Sequence, residues 1–413
     1  MTKIVIIGGG HAAAQAFTSL KKHKFDGSLT LVSDEPVVPY QRPPLSKAYL
    51  SGALAAERLP ILRQTAYENA GVILKLGVRA EIINRGAKTI QLAGGETLAY
   101  DKLILATGGR ARRLSCLGAD LRGIHYVRTQ ADTDALRPEL DAANRIVIVG
   151  GGYIGLEIAS AACQTDKKVI VLEAEDRILA RVVAPEVSAF YAGLHTDEGV
   201  DIRTNQMVTS IEGRERASAV MTKDGSRFEA DLVVVGIGLI ANSELANEAG
   251  LTCSPMGITV NSHCQTSDPD IYAVGDGTWH HNDFYGRDLR LESVQNAVDQ
   301  AKVAVGHMLG EDISYAALPW FWSEQYGLKL QIAGLSQGYD KLVVRGDATE
   351  RSVAYFYLKD GKLIAADCIG RISEFMNAKK LITARVTVDK KLLADDSQPF
   401  KEITANLLDE ASR

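Results

Sequence analysis

Two stretches of this chain carry the same glycine pattern, and together they constrain the fold more than any other feature. The first, IVIIGGGHAAAQA, places Gly8, Gly10 and Ala13 in the spacing G-x-G-x-x-A. The second, IVIVGGGYIGLEIA, places Gly150, Gly152 and Gly155 in the spacing G-x-G-x-x-G. Each follows a run of β-branched residues and opens a helix-like stretch, the setting a dinucleotide site requires. The first glycine lets the strand turn sharply into the helix. The second leaves the backbone bare for a pyrophosphate, and the third lets helix and strand pack closely. Ala13 at the third place widens that packing slightly. The helix N-terminus then offers N–H groups and a partial positive charge to the phosphates. A carboxylate about 20 residues further on is expected to accept the ribose hydroxyls. Asp34 and Glu35 follow the strand-like SLTLVS, and Glu173 follows KVIVL. A lone glycine cluster is often only a tight surface turn. Two clusters, each with its strand, helix and acid, imply two bound dinucleotides, for which a flavin and a nicotinamide nucleotide are the natural pair.

Strand-like and helix-like runs alternate along most of the 413 residues, which predicts an α/β class with two to three domains. The first glycine unit closes with YDKLILATGGR, where Thr107-Gly108-Gly109 reads as the turn leaving a buried strand. The second closes with the parallel phrase ADLVVVGIGLIAN, containing Gly236 and Gly238, so the two units read as an internal repeat. From Trp320 the character changes. KLQIAGL, KLVVRG, VAYFYL and KLIAADCIG read as antiparallel strands, followed by a helix around Glu374–Arg385 and a polar tail. The expected architecture is two Rossmann-like dinucleotide-binding domains plus a smaller C-terminal α+β domain. Residues 1–112 with 245–319 form the first, 113–244 the second and 320–413 the third.

A net charge of −5 without a long basic block argues against nucleic acid as a partner. No apolar run approaches the ~20 residues of a membrane span, so no membrane partner is expected. The first strand starts at Lys3, which leaves no room for a signal peptide, and a cytoplasmic location is the expectation. Cys116, Cys163, Cys253, Cys264 and Cys368 are scattered, with no C-x-x-C or C-x-x-x-x-C. They predict neither a redox dithiol nor a metal site, only incidental thiols in a reducing compartment.

Four longer phrases carry a resemblance. Thr266–Asp276 reads TSDPDIYAVGD, Pro39–Leu50 reads PYQRPPLSKAYL, Arg290–Ala301 reads RLESVQNAVDQA, and Pro319–Tyr326 reads PWFWSEQY. The chain resembles, end to end, the FAD-dependent, pyridine-nucleotide-linked reductases of the glutathione-reductase fold, and among them the ferredoxin reductases of oxygenase systems. Its departures are His11 within the first glycine turn, Ala13 for glycine, and Gly277-Thr278 after the aspartate. The resemblance implies that Asp276 receives a flavin ribityl hydroxyl. It implies that Ala12, Asp34, Lys47, Ala80, Arg128 and Val294 also line FAD, with Glu35, Arg42, Ala106, Thr107, Gly108, Glu292, Ser293 and Trp322 completing the set. Ile154, Gly155, Glu157, Glu173 and Gly238 would line the nicotinamide nucleotide.

The same resemblance gives Lys47 and Glu157 the catalytic role. Lys47 lies beside the flavin N5 in the family and pairs with the glutamate of the second fingerprint. A cation there favours the reduced, anionic ring. The plainer alternative is a surface lysine and an exposed helical glutamate. Glu173 predicts NADH over NADPH, because a carboxylate accepts from the adenosine 2′-OH and repels a 2′-phosphate. Arg177 and Arg181 are close enough in sequence to bind a phosphate instead. The first flavin loop offers Arg42 and Ser46 and no thiol. Electrons are therefore expected to leave singly, to a [2Fe-2S] ferredoxin feeding a cytochrome P450. A Rieske oxygenase or rubredoxin system is the alternative. A redox-sensing flavoprotein scaffold resembling apoptosis-inducing factor is a further one, disfavoured by the lack of basic blocks. Trp320 and Trp322 read either as core or as the electron exit side. Lys329, Lys379, Lys380 and Lys401 form a candidate docking patch for an acidic ferredoxin.

Overall fold

The computed structural model describes residues 1–163 and 167–411. The chain divides into two compact units. The first comprises Met1–Arg42, Leu54–Arg110 and Leu239–Ala317, and the second Pro43–Ala53, Ala111–Gly238 and Leu318–Arg413.

In the first unit a parallel sheet runs in the order Ile271–Ala273, Lys102–Leu105, Lys3–Ile7, Ser28–Ser33, Ile73–Leu76. Its central strands are buried in unbroken runs rather than alternately, as sheets covered on both faces require. One face packs the helices His11–Lys22 and Val294–Met308 through Ala13, Ala16, Phe17, Ala301 and Ala304. The other buries Val5, Val32 and Leu103 against Ile83, Ile90 and Leu92 of a three-stranded antiparallel sheet.

The second unit repeats this plan. Its parallel sheet runs Asp201–Arg203, Lys168–Leu172, Arg145–Val149, Leu232–Val235, Ile124–Tyr126, again beside a three-stranded antiparallel sheet. The internal repeat is thus structural. The two sheets differ in the edge strand beside Lys102–Leu105 or Leu232–Val235. It comes last in sequence in the first unit and first in the second.

The second unit also contains a five-stranded antiparallel sheet, ordered Trp320–Gln325, Leu328–Gly334, Lys362–Ile369, Ser352–Lys359, Lys341–Asp347. The helix Ile372–Ala384 covers part of it, close to the stretch expected. The polar tail is a correction. It folds into the helices Lys390–Ala394 and Phe400–Ala411. Phe400 and Ile403, three apart, supply a narrow buried stripe, and Phe400 stacks on Phe356 at 4.9 Å. Arg345, 2% exposed, ties this tail down by donating to the carbonyls of Asp395 and Gln398 and pairing with Glu374.

Asp367 lies fully buried in the same sheet and accepts the Tyr357 hydroxyl at 2.6 Å. Burial pushes its carboxyl up to about 7, with the Tyr357 bond opposing. Between the ordinary carboxylate range and about pH 7, the folded chain keeps a proton that the unfolded chain has released. Stability from this group therefore falls as pH rises through that window, on the order of 1.4 kcal/mol per pH unit, and levels off above it. Asp367→Asn removes the linkage. The variant should gain on the wild type as pH rises from 4 to 7, read as the denaturation midpoint against pH. Parallel profiles for the two proteins would contradict this.

Candidate functional site

Both glycine turns have the shape their spacing predicts. In the first unit Gly8 has φ +131°, and a β-carbon there would lie 2.1 Å from the Ala106 carbonyl oxygen. Gly10 is open, its nearest neighbour being Arg42 Nε at 3.8 Å, and Ala13 is fully buried against the sheet. The helix that follows has no acid in its first turn. In the second unit a β-carbon on Gly150 would lie 2.4 Å from the Gly236 oxygen, and one on Gly155 2.2 Å from the Gly150 oxygen. Gly152 is open, with Gly236 oxygen at 4.0 Å. Each turn thus closes its flanking positions and bares the middle glycine at a helix N-terminus. That cradle fits a pyrophosphate.

Around the first cradle, Ala12 and Ala106 are buried, and the Ala106 N–H donates to Ile7 at 2.7 Å. Thr107 donates to the Asn242 carbonyl at 2.8 Å, and Gly108 takes φ +59°. Asp276 follows Gly275, whose positive φ is held by its N–H donating to Gln300 Oε1 at 2.7 Å. Thr278 donates to the same oxygen at 3.0 Å. Gln300, in the middle of the helix Val294–Met308, has no signature in sequence beyond its place in a family phrase. Val294 begins that helix, Ser293 caps it by accepting from Asn296 N–H, and exposed Glu292 takes Arg290 at 2.6 Å. Ala80 is buried at the start of the strand Ala80–Asn84.

The acids need a finer description than their spacing allowed. Ile7 pairs with Val32, and Val149 with Leu172, so Ser33 occupies the place that Glu173 holds in the second unit. Asp34 comes one residue later and is exposed. Glu35 is engaged by Arg42 at 2.5 Å and by the Tyr40 hydroxyl at 2.6 Å. Glu173 itself folds toward the second cradle, accepting from Gly151 N–H at 2.7 Å and Glu175 N–H at 2.9 Å.

Also in the second unit, Ile154 is exposed on the helix Tyr153–Cys163, and Gly238 has φ +109°. Arg177 donates to the carbonyls of Ala180 and Val183, which uses two of its five N–H groups. Arg177 and Arg181 both line a cleft of about 230 Å³ with Ser336–Tyr339. The Arg128 N–H donates to Asp132, the N-terminal acid of the helix Gln130–Ala142. Trp322 lies on the strand Trp320–Gln325, its ring 5.7 Å from that of Trp320, over which Lys379 Nζ sits at 5.1 Å.

Lys47 and Glu157 form an ion pair at 2.5 Å. Glu157 is buried on its helix, which removes the alternative of an exposed glutamate. It also accepts from the Ser46 and Ser323 hydroxyls, each at 2.6 Å. The stiff Pro43-Pro44 pair opens the short 3₁₀ turn that delivers Ser46 and Lys47. All five cysteines are free, and burial pushes each thiol up rather than toward the reactive thiolate. Among the described residues no His, Cys, Asp and Glu group could hold a metal ion, and no helix is long and apolar enough to cross a membrane.

Residues 2–301 match the pyridine nucleotide-disulphide oxidoreductase family, and residues 320–404 match the reductase C-terminal family. The chain is 44% identical to a 5,5'-dehydrodivanillate O-demethylase ferredoxin reductase subunit of Sphingobium sp., over 97% of this chain and 98% of that one. It is 43% identical to the putidaredoxin reductase of Pseudomonas putida, over 97% and 96% of the two chains. A solved covalent complex of putidaredoxin reductase with putidaredoxin superposes with a TM-score of 0.95, covering 98% of this chain and 99% of that one at 42% identity. The chain therefore belongs to the pyridine nucleotide-disulphide oxidoreductase family, in its ferredoxin-reductase branch, an oxidoreductase whose cofactors are FAD and NAD(H).

Proposed function

We propose that this protein is a cytoplasmic, NADH-dependent ferredoxin reductase that delivers single electrons to a [2Fe-2S] ferredoxin serving a cytochrome P450. The observation that carries this reading is the pair of half-buried Lys47 with buried Glu157, accompanied by two glycine cradles and no activated thiol. When bound, FAD supplies an acceptor for a hydride that can return its electrons one at a time. Gly8, Gly10, Ala12 and Ala13 would hold its pyrophosphate, and Asp276 its ribityl chain. Lys47 would hold positive charge where the reduced ring carries negative charge, with Glu157 keeping that ammonium in place. Gly150, Gly152 and Gly155 would hold the pyrophosphate of NADH, with Ile154 and Gly238 beside it. The four lysines named above, with Trp322, make the proposed docking face. Lys329 is well exposed, and its contact with Glu324 is loose at 3.9 Å.

NADH preference rests on Glu173. Its carboxylate accepts one N–H bond from the glycine turn, at Gly151, and one from its own loop, at Glu175, and would accept ribose hydroxyls on its remaining lone pairs, whereas a 2′-phosphate would meet like charge. Glu173→Ala should weaken NADH by roughly 1.5–3 kcal/mol, the worth of a hydrogen bond to a charged group, and narrow the gap to NADPH. Equal use of NADH and NADPH by the wild type would overturn the assignment.

The name of the Sphingobium relative adds a second reading, in which the ferredoxin serves an O-demethylase, whether of a P450, Rieske or rubredoxin system. NADH-driven reduction of a panel separates these systems. The panel comprises a ferredoxin of a P450 system, a Rieske-system ferredoxin and a rubredoxin. The highest kcat/KM is expected with the first, and a marked preference for either of the others would replace the P450 assignment.

A further inference from the structure

A hydrogen-bonded chain leaves Glu157 on the side away from Lys47. Ser323 Oγ lies 2.6 Å from Glu157 Oε1, and Gln325 Nε2 lies 3.2 Å from Ser323 Oγ. Gln325 Oε1 lies 2.7 Å from His195 Nε2, and His195 Nδ1 lies 2.8 Å from the Tyr326 hydroxyl. Ser323, Gln325 and His195 are each at most 1% exposed. The direction of every bond is fixed from one end. An ionised carboxylate only accepts, so Ser323 must donate to Glu157. The amide NH₂ of Gln325 must then donate to Ser323, which leaves its carbonyl to accept. His195 must carry its proton on Nε2, and Tyr326 must donate to the bare Nδ1. All four donors point toward Glu157.

A strained turn holds the far end. Tyr326 and Gly327 link the strands Trp320–Gln325 and Leu328–Gly334 with φ of 54° and 73°. An aromatic residue is a costly choice where such a turn favours Asn or Gly. Tyr326 is kept there by its hydroxyl on His195 and by its N–H donating to Ser160 Oγ at 2.8 Å. Burial pushes the His195 imidazole down to about 4, with the Gln325 bond and Glu198 opposing, so the ring is neutral near pH 7.

We infer that Ser323, Gln325, His195 and Tyr326 are positioning residues that hold the Glu157 carboxylate in place and thereby set the position of the Lys47 ammonium for flavin reduction. The role in flavin reduction rests on the function proposed above, whereas the polarity of the chain does not. Besides Lys47 and Ser46, half-buried Tyr153 and buried Tyr191 face Glu157, and Asp367 faces both tyrosines. Glu198 faces His195, and Cys163 and Glu198 face Tyr326.

Nitrogen NMR of the histidine-labelled wild-type holoprotein tests the polarity directly, with His195 assigned from a His195→Asn variant. The expected signal is a neutral ring protonated on Nε2 from pH 5 to 8. A ring protonated on Nδ1, or a cation at pH 6, overturns the chain whatever the enzyme does. The consequence is read in Ser323→Ala, Ser323→Thr and Gln325→Met. In Ser323→Ala and Gln325→Met the rate of flavin reduction by NADH should fall about tenfold, the scale of one hydrogen bond to a charged group, with KM for NADH unchanged. Ser323→Thr keeps the hydroxyl and should restore the wild-type rate. Unchanged rates in Ala and Met overturn the positioning role. If Glu157→Gln leaves flavin reduction intact, the functional reading of the pair fails, while NMR still decides the chain.

Discussion

Glu157→Gln should slow flavin reduction by NADH by about 10²–10³-fold while FAD stays bound, because the charge of Lys47 is no longer preorganised toward the reacting ring. The carboxylate is buried and meets Lys47 at 2.5 Å, so its removal frees the ammonium from its set position. Lys47→Met should slow the same step and should also destabilise the fold. It leaves Glu157 as a buried charge supported only by Ser46 and Ser323, at a cost of about 3–5 kcal/mol. The double variant should recover most of that stability but none of the rate. That non-additivity is the signature of a coupled pair. Single-turnover bleaching of the flavin and denaturation midpoints measure the two effects separately. A Glu157→Gln enzyme within about threefold of wild type would remove the pair from the mechanism.

Gly8→Ala should yield colourless protein, with FAD affinity reduced by at least ~10²-fold, the scale of ~3 kcal/mol of overpacking strain. The new methyl would lie 2.1 Å from a backbone oxygen, at a φ that L-residues rarely adopt. Strand and turn must shift, and the helix N-terminus shifts with them. Gly152→Ala makes the useful contrast. Its β-carbon has open space, so folding and FAD should be normal, and only the approach of the nucleotide pyrophosphate is blocked. NADH affinity should fall while the protein stays yellow. Absorbance at the flavin band and NADH titration separate these outcomes. A yellow, fully active Gly8→Ala protein would show that the first cradle holds no cofactor.

The cradles were legible in sequence because their requirement is local and steric. The spacing of three small residues after a strand states which backbone atoms must approach one another. The antiparallel runs after residue 328 were legible for a similar reason, since their alternation is visible within a few residues. What stayed hidden is non-local. Ser33 as the counterpart of Glu173 depends on cross-strand register, and spacing alone pointed to Asp34 and Glu35. Ser323 reaches Glu157 across 166 residues of chain and Gln325 reaches His195 across 130, pairings that the phrase PWFWSEQY does not display. The contacts of Arg177 stayed hidden because its partners are backbone carbonyls, which no sequence displays. The tail helix was masked by polar neighbours around a stripe as narrow as Phe400 and Ile403.

An anaerobic titration tests the central claim most directly. One equivalent of NADH per chain should bleach the flavin, and the reduced protein should then reduce two equivalents of [2Fe-2S] ferredoxin as the flavin colour returns. That stoichiometry follows from a two-electron donor, a one-electron acceptor and no thiol store between them. A flavin that NADH leaves oxidised would contradict it. So would a thiolate-to-flavin charge-transfer band that one cysteine substitution abolishes.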